Sequence, residues 1–186
     1  MQRYISHYLY CLALSVMLSG HAAVAAEPPP VVAQVDLKRY LGDWYEIKRI
    51  PNRFQAHCAG KTTATYAARD DGRLDVFNRC ITRDGDWDEA VGVARVVDPI
   101  SNAKLEVSFV KLFGWNLFWG DYWILDLSPD YSYAIVGHPQ RRYGWILSRT
   151  PTLKTNLDSR LRELGYDPAA FIATPQDAIP QDAIRP

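Results

Sequence analysis

The sequence predicts an all-β domain: an eight-stranded antiparallel up-and-down β-barrel with one C-terminal α-helix packed against its outside. Runs rich in β-branched and aromatic residues recur between residues 44 and 148, and each gap between them carries turn residues. No helical pattern interrupts these runs, so the strands pair antiparallel. Eight strands in meander order close most simply into a barrel that holds one small ligand. A two-sheet sandwich is the alternative arrangement.

Residues 1–26 have the pattern of a secretory signal peptide. Arg3 precedes an apolar run over residues 8–18, and small residues at 22–26 offer a cleavage site. The apolar run is too short to span a bilayer. Cys11 lies inside that run and not at a cleavage point, so no lipid anchor is evident. We therefore expect an exported, periplasmic protein, for which association with the outer membrane stays open.

Composition limits the partners of the remaining domain. The chain has 186 residues, with 21 basic residues balanced by 21 acidic ones. This balance gives no reason to expect nucleic acid as a partner. Aromatic residues make up 12% of the chain, including six tryptophans, which indicates a large buried or ligand-facing aromatic surface.

The first elements of the mature chain precede the barrel. Residues 27–35 are predicted to be a Pro-rich linker, kept extended by three consecutive prolines, and the domain is predicted to cover residues 36–174. Asp36 is placed to cap a short helical turn, Leu37 to Leu41.

The first strand opens with Gly42-Asp43-Trp44-Tyr45-Glu46. Gly42 allows a sharp turn, and side chains on a strand alternate between faces, so Trp44 is predicted to point inward and Tyr45 outward. Eight strands are predicted in all: Trp44 to Ile50, Lys61 to Ala67, Leu74 to Ile81, Glu89 to Val97, Lys104 to Val110, Tyr122 to Leu127, Tyr133 to Gly137 and Gly144 to Ser148.

The same alternation sorts the residues of the other strands into faces. The predicted inward sets, strand by strand, are Thr62, Ala64 and Tyr66; Val76, Asn78 and Cys80; Leu105, Val107 and Phe109; and Trp145, Leu147 and Arg149. An interior of this kind is apolar and aromatic with a few polar points, which suits an amphipathic ligand.

Two cysteines remain once the signal peptide is removed. Cys58 and Cys80 form an even pair in an oxidising compartment and flank one hairpin, so we predict a disulfide. A catalytic cysteine activated by His57 is the alternative, although neighbours on a strand point to opposite faces.

One helix follows the barrel. Thr155 with Asp158 gives a capping pattern, Leu157, Leu161 and Leu164 mark an apolar face, and Gly165 ends the helix. That face is predicted to pack on the outside of the barrel. Residues 175–186 repeat Pro-Gln-Asp-Ala-Ile and are predicted to be a disordered tail.

Three separated motifs resemble those of the lipocalins: residues 42–46, Asp121-Tyr122-Trp123-Ile124-Leu125, and Trp145-Ile146-Leu147-Ser148-Arg149-Thr150-Pro151. Residues 62–66 and 76–80 resemble the bacterial outer-membrane lipocalins and the related apolipoprotein D group. The resemblance covers about Asp36 to Ile172.

The resemblance implies roles for named residues. Gly42, Trp44 and Arg149 would form the structural signature, with the arginine packed across the tryptophan ring at the narrow end of the barrel. Positions lining the cup near its mouth correspond to Tyr66, Asn78, Phe109, Tyr122 and Trp145, which are the predicted ligand-binding residues. Each of them has a plain core role as its alternative.

An aromatic loop over residues 111–121 separates the fifth and sixth predicted strands. Phe113, Trp115, Leu117, Phe118 and Trp119 crowd this loop, which lies at the predicted open mouth. Aromatic residues at such a rim suit a membrane interface. We predict that the loop contacts a membrane surface or gates the cup. The alternatives are a loop folded over the mouth and a dimer contact, so monomer and homodimer both stay open.

The predicted function is to bind, store or transport a small amphipathic lipid, a fatty acid or a lysophospholipid, for envelope lipid maintenance. No cofactor or metal is expected. The head group would lie near Arg49, Arg53, Arg141 and Arg142, which are otherwise solvated surface charges.

Two other classes are weighed against this carrier. A lipocalin-type enzyme acting on a lipophilic substrate would need acids such as Glu46 or Asp126, but no nucleophile and base stand in a recognisable order. A haem or metal carrier would rest on His57 and His138, which lack a second ligand at useful spacing.

Overall fold

The computed structural model describes residues 27–177. The predicted signal peptide, with Cys11, and most of the predicted tail lie outside the described residues. Within the described part of the chain, no helix is long and apolar enough to cross a membrane.

Eight strands form a closed antiparallel barrel, which confirms the predicted fold class. They follow one another around the sheet in chain order, and the last pairs with the first. The barrel strands are β1 (Gly42–Arg49), β2 (Cys58–Ala68), β3 (Leu74–Thr82), β4 (Trp87–Val96), β5 (Lys104–Ser108), β8 (Gly120–Leu127), β9 (Tyr133–Gly137) and β10 (Gly144–Ser148).

A small hairpin interrupts this order, where a loop was predicted. Strands β6 (Val110–Leu112) and β7 (Trp115–Leu117) pair with each other outside the barrel sheet. Their turn is made by Phe113 and Gly114, both with positive φ. The predicted fifth strand, extended to Val110, is therefore wrong at its end, because the chain leaves the barrel after Ser108.

The N-terminal segment closes one end of the barrel. Asp36 caps the helix α1 (Leu37–Tyr40), as predicted. Its side chain accepts hydrogen bonds from the backbone N–H groups of Lys38 and Arg39. The predicted linker over residues 27–35 is not free. The N–H of Val32 donates to Ile124, and Val35 is buried in the core. Apolar residues in this segment favour packing over an extended spacer.

Helix α2 (Asp158–Glu163) packs on the outside of the barrel, as expected. Leu157, Leu161 and Leu164 are buried against residues of β8, β9 and β10. The predicted capping by Thr155 is wrong. The side chain of Asn156, one residue closer to the helix, accepts the N–H of Asp158 instead.

The chain after α2 returns to the barrel. Strand β11 (Ile172–Ala173) pairs with Lys48 and Arg49 of β1. The carbonyl of Pro175 accepts the N–H of Lys61 on β2, and the Gln176 amide donates to backbone carbonyls of both strands. The predicted start of the tail at residue 175 is therefore too early, because residues 175 and 176 bind the barrel.

Candidate ligand cavity

The barrel encloses a cavity of about 820 Å³. Its wall takes inward residues from seven of the eight barrel strands, and its mouth is framed by the links that follow β1, β5 and β9. A volume of this size lies in the range typical of small-molecule sites.

The narrow end is sealed by Trp44 and Arg149. Trp44 is fully buried, and the Arg149 guanidinium lies 3.8 Å from the centroid of its ring. The same guanidinium donates to the backbone carbonyls of Arg39 and Asp43, so it ties α1 to β1. Gly42 has a φ of +89°, a conformation that side-chain-bearing residues rarely adopt. The signature residues thus have the structural arrangement that the resemblance implied.

Three tyrosine hydroxyls meet above this seal. Tyr66 donates a hydrogen bond of 2.7 Å to Tyr122, and the hydroxyls of Tyr122 and Tyr40 are 2.8 Å apart. Burial raises the pKa of all three phenols above the usual value. The three phenols are therefore neutral and their hydroxyls bond one another, and two of them, Tyr66 and Tyr122, line the floor of the cavity.

All five predicted ligand-binding residues line this one cavity: Tyr66, Asn78, Phe109, Tyr122 and Trp145. Tyr66 and Tyr122 lie at the floor, whereas Phe109 is partly exposed after the end of β5, beside the mouth. The Trp145 indole N–H donates to the side-chain carbonyl of Gln55, which fixes its ring in the wall. Their contact with a ligand stays a prediction.

A charged pair is buried in the barrel wall, and it includes Glu46, which was weighed above as a possible catalytic acid. The Glu46 carboxylate pairs with Arg49 at 2.8 Å and accepts hydrogen bonds from Gln55 and Thr174. Arg49 is also buried, so the prediction that it lies near a ligand head group is wrong. The register of β1 shifts between Glu46 and Lys48, and this bulge turns Arg49 inward onto Glu46.

Two polar residues of the wall carry an unpaired atom. Thr62 Oγ1 and Asn78 Oδ1 are buried without a hydrogen-bond partner among the described residues. Each residue lies on the cavity side of β2 or β3. They are polar points of the kind that strand alternation predicted in the wall.

The rim carries unpaired positive charge. Arg53, Arg79 and Arg142 line the cavity, and none of them has a carboxylate within 4.0 Å among the described residues. The two aspartates of the rim lie beside histidines instead: Asp88 beside His57 at 2.9 Å and Asp121 beside His138 at 3.5 Å. An anionic head group would therefore find arginines that are not already paired with a carboxylate.

Of the four arginines expected near a head group, Arg53 and Arg142 line the cavity mouth and two do not. Besides the buried Arg49, Arg141 is directed outward, where it donates to the backbone carbonyls of Leu164 and Glu27. Arg79 belongs to the rim although it was not predicted, because its strand position points outward. Its guanidinium lies 3.7 Å from the centroid of the Trp87 ring.

Cys58 and Cys80 form a disulfide between β2 and β3, as predicted. His57 and these two sulfurs form the one group of metal-ligand type found among the described residues. Both sulfurs are consumed by the disulfide, so they do not offer thiolates to a metal ion.

The residues of the predicted 111–121 loop include the most exposed aromatic side chains. The exposed fractions are 92% for Phe113, 75% for Trp115 and 82% for Phe118. Leu117 and Trp119 are half-buried, and the Arg95 guanidinium lies 4.1 Å from the centroid of the Trp119 ring. Phe118 and Trp119 also line the cavity, so this hairpin stands at the mouth.

The two acids weighed for catalysis, Glu46 and Asp126, lie on different sides of the barrel wall and pair with different arginines. Glu46 is held by Arg49 inside the barrel, whereas Asp126 pairs with Arg160 of α2 on the outside at 3.1 Å. His57 lies against Asp88, and Cys58 is in the disulfide. These groups are therefore engaged separately.

Comparison with known proteins places the chain in a family. The sequence model of the lipocalin-like domain matches residues 35–176. The chain is 40% identical over 159 residues to the outer membrane lipoprotein Blc of Escherichia coli, covering 81% of this chain and 86% of that protein. It is 33% identical over 145 residues to apolipoprotein D of Mus musculus, covering 73% and 72% of the two chains.

A solved structure agrees on the fold. Insecticyanin from the tobacco hornworm Manduca sexta superposes with a TM-score of 0.62 at 23% identity, covering 87% of this chain and 89% of that one. With the domain match, the two relatives and the closed eight-stranded barrel all in agreement, this chain belongs to the lipocalin family.

Proposed function

We propose that this protein carries a small amphipathic lipid, a fatty acid or a lysophospholipid, inside its barrel. The observation that carries the proposal is a cavity of about 820 Å³ with an aromatic, apolar interior and an arginine-bearing rim. The apolar chain would lie among Tyr122, Val107 and Leu147, and the head group would stay at the mouth. Each methylene taken from water would contribute about 0.8 kcal/mol.

The proposed location is the cell envelope. The first 26 residues have the pattern of an export signal, and one relative is named an outer membrane lipoprotein. A carrier there would exchange lipid with a membrane, in keeping with a role in envelope lipid maintenance.

The exposed hairpin β6–β7 is the proposed membrane contact. Phe113 and Trp115 extend from the mouth into solvent, where aromatic side chains gain by entering the region of lipid head groups. Lys111 on the same hairpin is exposed and adds a positive charge that favours anionic lipids. Docking by this hairpin would present the open cavity to the bilayer.

Native mass spectrometry of the protein purified from its own cells, with extraction and identification of bound lipid, tests the carrier function. We expect one fatty acid or lysophospholipid per barrel. Trp145→Arg, which places a charge in the cavity wall, should abolish binding, whereas Val91→Arg on the exposed face of β4 should not. A barrel that is empty and also refuses added lipids would refute the proposal and favour the enzymatic alternative.

Vesicle sedimentation tests the membrane contact. Phe113→Ser with Trp115→Ser should reduce binding to vesicles that contain anionic lipid, while Ile100→Ser, an equally exposed residue at the closed end, should leave it unchanged. Unchanged vesicle binding would contradict the proposal. Conversion of a dimer to a monomer by the hairpin substitutions, with vesicle binding retained, would identify the hairpin as a dimer contact instead.

A further inference from the structure

We propose that His138 and Arg142 together bind one terminal anionic group of the ligand, a carboxylate or a phosphate, and that Asp121 competes with it. This inference rests on the proposed lipid-carrier function and names the head-group site within it. Both His138 and Arg142 line the cavity, on the link between β9 and β10.

The position of the proton on His138 follows from its neighbours. The backbone N–H of Gln140 donates to Nδ1 at 3.0 Å, so Nδ1 carries no proton. A neutral imidazole then has its proton on Nε2. Burial and the nearby Arg142 charge lower the pKa of His138, which keeps the ring neutral near pH 7. Nε2–H is therefore a donor directed at the mouth.

The second donor lies close beside it. Nη2 of Arg142 is 3.2 Å from Nε2 of His138. Since both atoms carry hydrogen, this approach is a contact between two donors and not a hydrogen bond. Arg142 has no other polar partner among the described residues. Two donors at this separation converge on a single acceptor oxygen, and a charged acceptor would relieve the repulsion between them.

Asp121 lies at the edge of the same site. Its Oδ2 is 3.5 Å from Nε2, close enough for electrostatic attraction but long for a hydrogen bond. Asp121 does not reach Arg142 within salt-bridge distance. The aspartate thus partly satisfies the histidine alone, and its negative charge opposes an incoming anion.

The surrounding structure holds this pair in place. The Tyr166 hydroxyl accepts the backbone N–H of His138 and donates to the carbonyl of Tyr143, so it clamps both ends of the link. The Tyr143 ring packs edge-on against the imidazole with the ring centroids 5.6 Å apart. A site whose donors are already ordered loses little entropy when it binds an anion.

Equilibrium binding of three probes with the same saturated chain tests the site: a fatty acid, a lysophospholipid with a phosphate monoester head, and the uncharged fatty alcohol. Arg142→Gln should weaken binding of both anionic probes by about tenfold and leave the alcohol unchanged. Asp121→Asn should strengthen anion binding. Arg162→Gln, which removes an equal charge from the exposed side of α2, is the matched control and should change nothing.

The outcomes separate this site from the carrier function itself. If the wild-type protein binds none of the three probes, the carrier proposal fails. If it binds all three but Arg142→Gln has no more effect than Arg162→Gln, or weakens the alcohol equally, the anion site is refuted while the carrier remains. A drop for the phosphate probe alone, or for the carboxylate probe alone, would support the site and identify which anion it takes.

Discussion

Arg149 is the residue on which the closed end of the barrel depends. Its guanidinium covers the Trp44 ring at 3.8 Å and donates to the backbone carbonyls of Arg39 and Asp43. A stacked cation contributes about 1 kcal/mol or more, and each hydrogen bond from a charged group contributes about 1.5–3 kcal/mol before the cost of ordering the side chain. One side chain therefore couples the N-terminal helix to the last strand.

Replacement of Arg149 by Met, which keeps the apolar stem, should lower the free energy of unfolding by about 2 kcal/mol. Lysine at this position should lose most of the same energy, because it has neither the planar stacking surface nor the forked donors. Urea denaturation measures the effect, with Arg162→Met on the exposed side of α2 as the control. Equal stability of the Arg149 and Arg162 variants would show that the closed end does not need the guanidinium.

The proposed anion site at His138 predicts that ligand binding depends on pH. In the free protein its pKa is lowered, first by burial and then by Arg142, with Asp121 acting in the opposite direction. Tyr143 and Tyr166 are the other titratable groups against it, and the pKa of Tyr166 is raised by burial, so it stays neutral. A bound anion stabilises the charged imidazolium, so binding favours uptake of a second proton on Nδ1, which displaces the hydrogen bond from the Gln140 N–H.

Affinity for an anionic ligand should therefore rise as the pH falls from about 7 to about 5. A long-chain alkyl sulfonate is the appropriate probe, because its own charge is constant over this range. The same titration on His138→Gln separates this effect from the general gain of positive charge at low pH. If the wild-type protein and the variant show the same slope, His138 has no part in anion binding.

Strand alternation predicted residues of the cavity wall well but could not predict its charged groups. Tyr66, Asn78 and Trp145 lie on the cavity side because nothing disturbs the period of two around them. The predicted place of Arg49 near a head group was wrong because a bulge after Glu46 reverses the alternation of side chains along β1. The donor pair at His138 depends on the backbone of Gln140, which no side-chain pattern reveals.

At the level of elements, the C-terminal segment closes a gap that the barrel strands leave open. Strand β1 pairs with β2 only from Gly42 to Tyr45. Nearer the mouth, the segment after α2 lies between them, with Thr174 bonded to Ile47 on one side and Pro175 to Lys61 on the other. The Thr174 hydroxyl also donates to the buried Glu46 carboxylate at 2.6 Å.

Thr174→Val should lower the free energy of unfolding by about 1–3 kcal/mol, because the Glu46 carboxylate loses a hydrogen bond in a buried setting. Thr155→Val, at an exposed position before α2, is a control that makes the same change in shape. Chemical denaturation of both variants gives the comparison. A Thr174 variant as stable as the wild type would mean that the segment contributes through its backbone alone.

The sequence predicted elements where a local signal matched the tertiary role of the segment. Strand β9 is such a case, since a compact apolar run lies between two clear turns and is buried from Ala134 to Gly137. The hairpin β6–β7 was missed because its two three-residue strands carry apolar side chains that are not buried, so no alternation distinguishes their faces. The N-terminal segment was predicted to be an extended linker and the C-terminal segment a disordered tail, because their proline and polar residues give no sign of the few backbone hydrogen bonds that attach them to the barrel.

The whole molecule is a cup with opposite properties at its two ends. The closed end is bound together by α1, Trp44 and Arg149, while the open end gathers the unpaired arginines of the rim and the exposed hairpin. The residues that seal the fold and the residues proposed to bind a ligand head group thus lie at different ends of the same barrel. Substitutions at the mouth can change what is bound without loosening the seal at the floor.

The length of the cavity should set a limit on the ligand chain. For a series of saturated ligands with one head group, affinity should rise about fourfold with each methylene, as expected from about 0.8 kcal/mol per buried methylene. The rise should stop when the chain reaches the tyrosines at the floor, because Trp44 and Tyr40 leave no exit there. Isothermal calorimetry across the series would show a break at one chain length.

Ala64→Phe, which fills part of the wall, should move that break to a shorter chain without changing the slope, whereas Ala68→Phe, exposed at the end of β2, should leave it in place. Affinity that rises without a break, or a break that Ala64→Phe does not move, would mean that the chain binds outside the barrel.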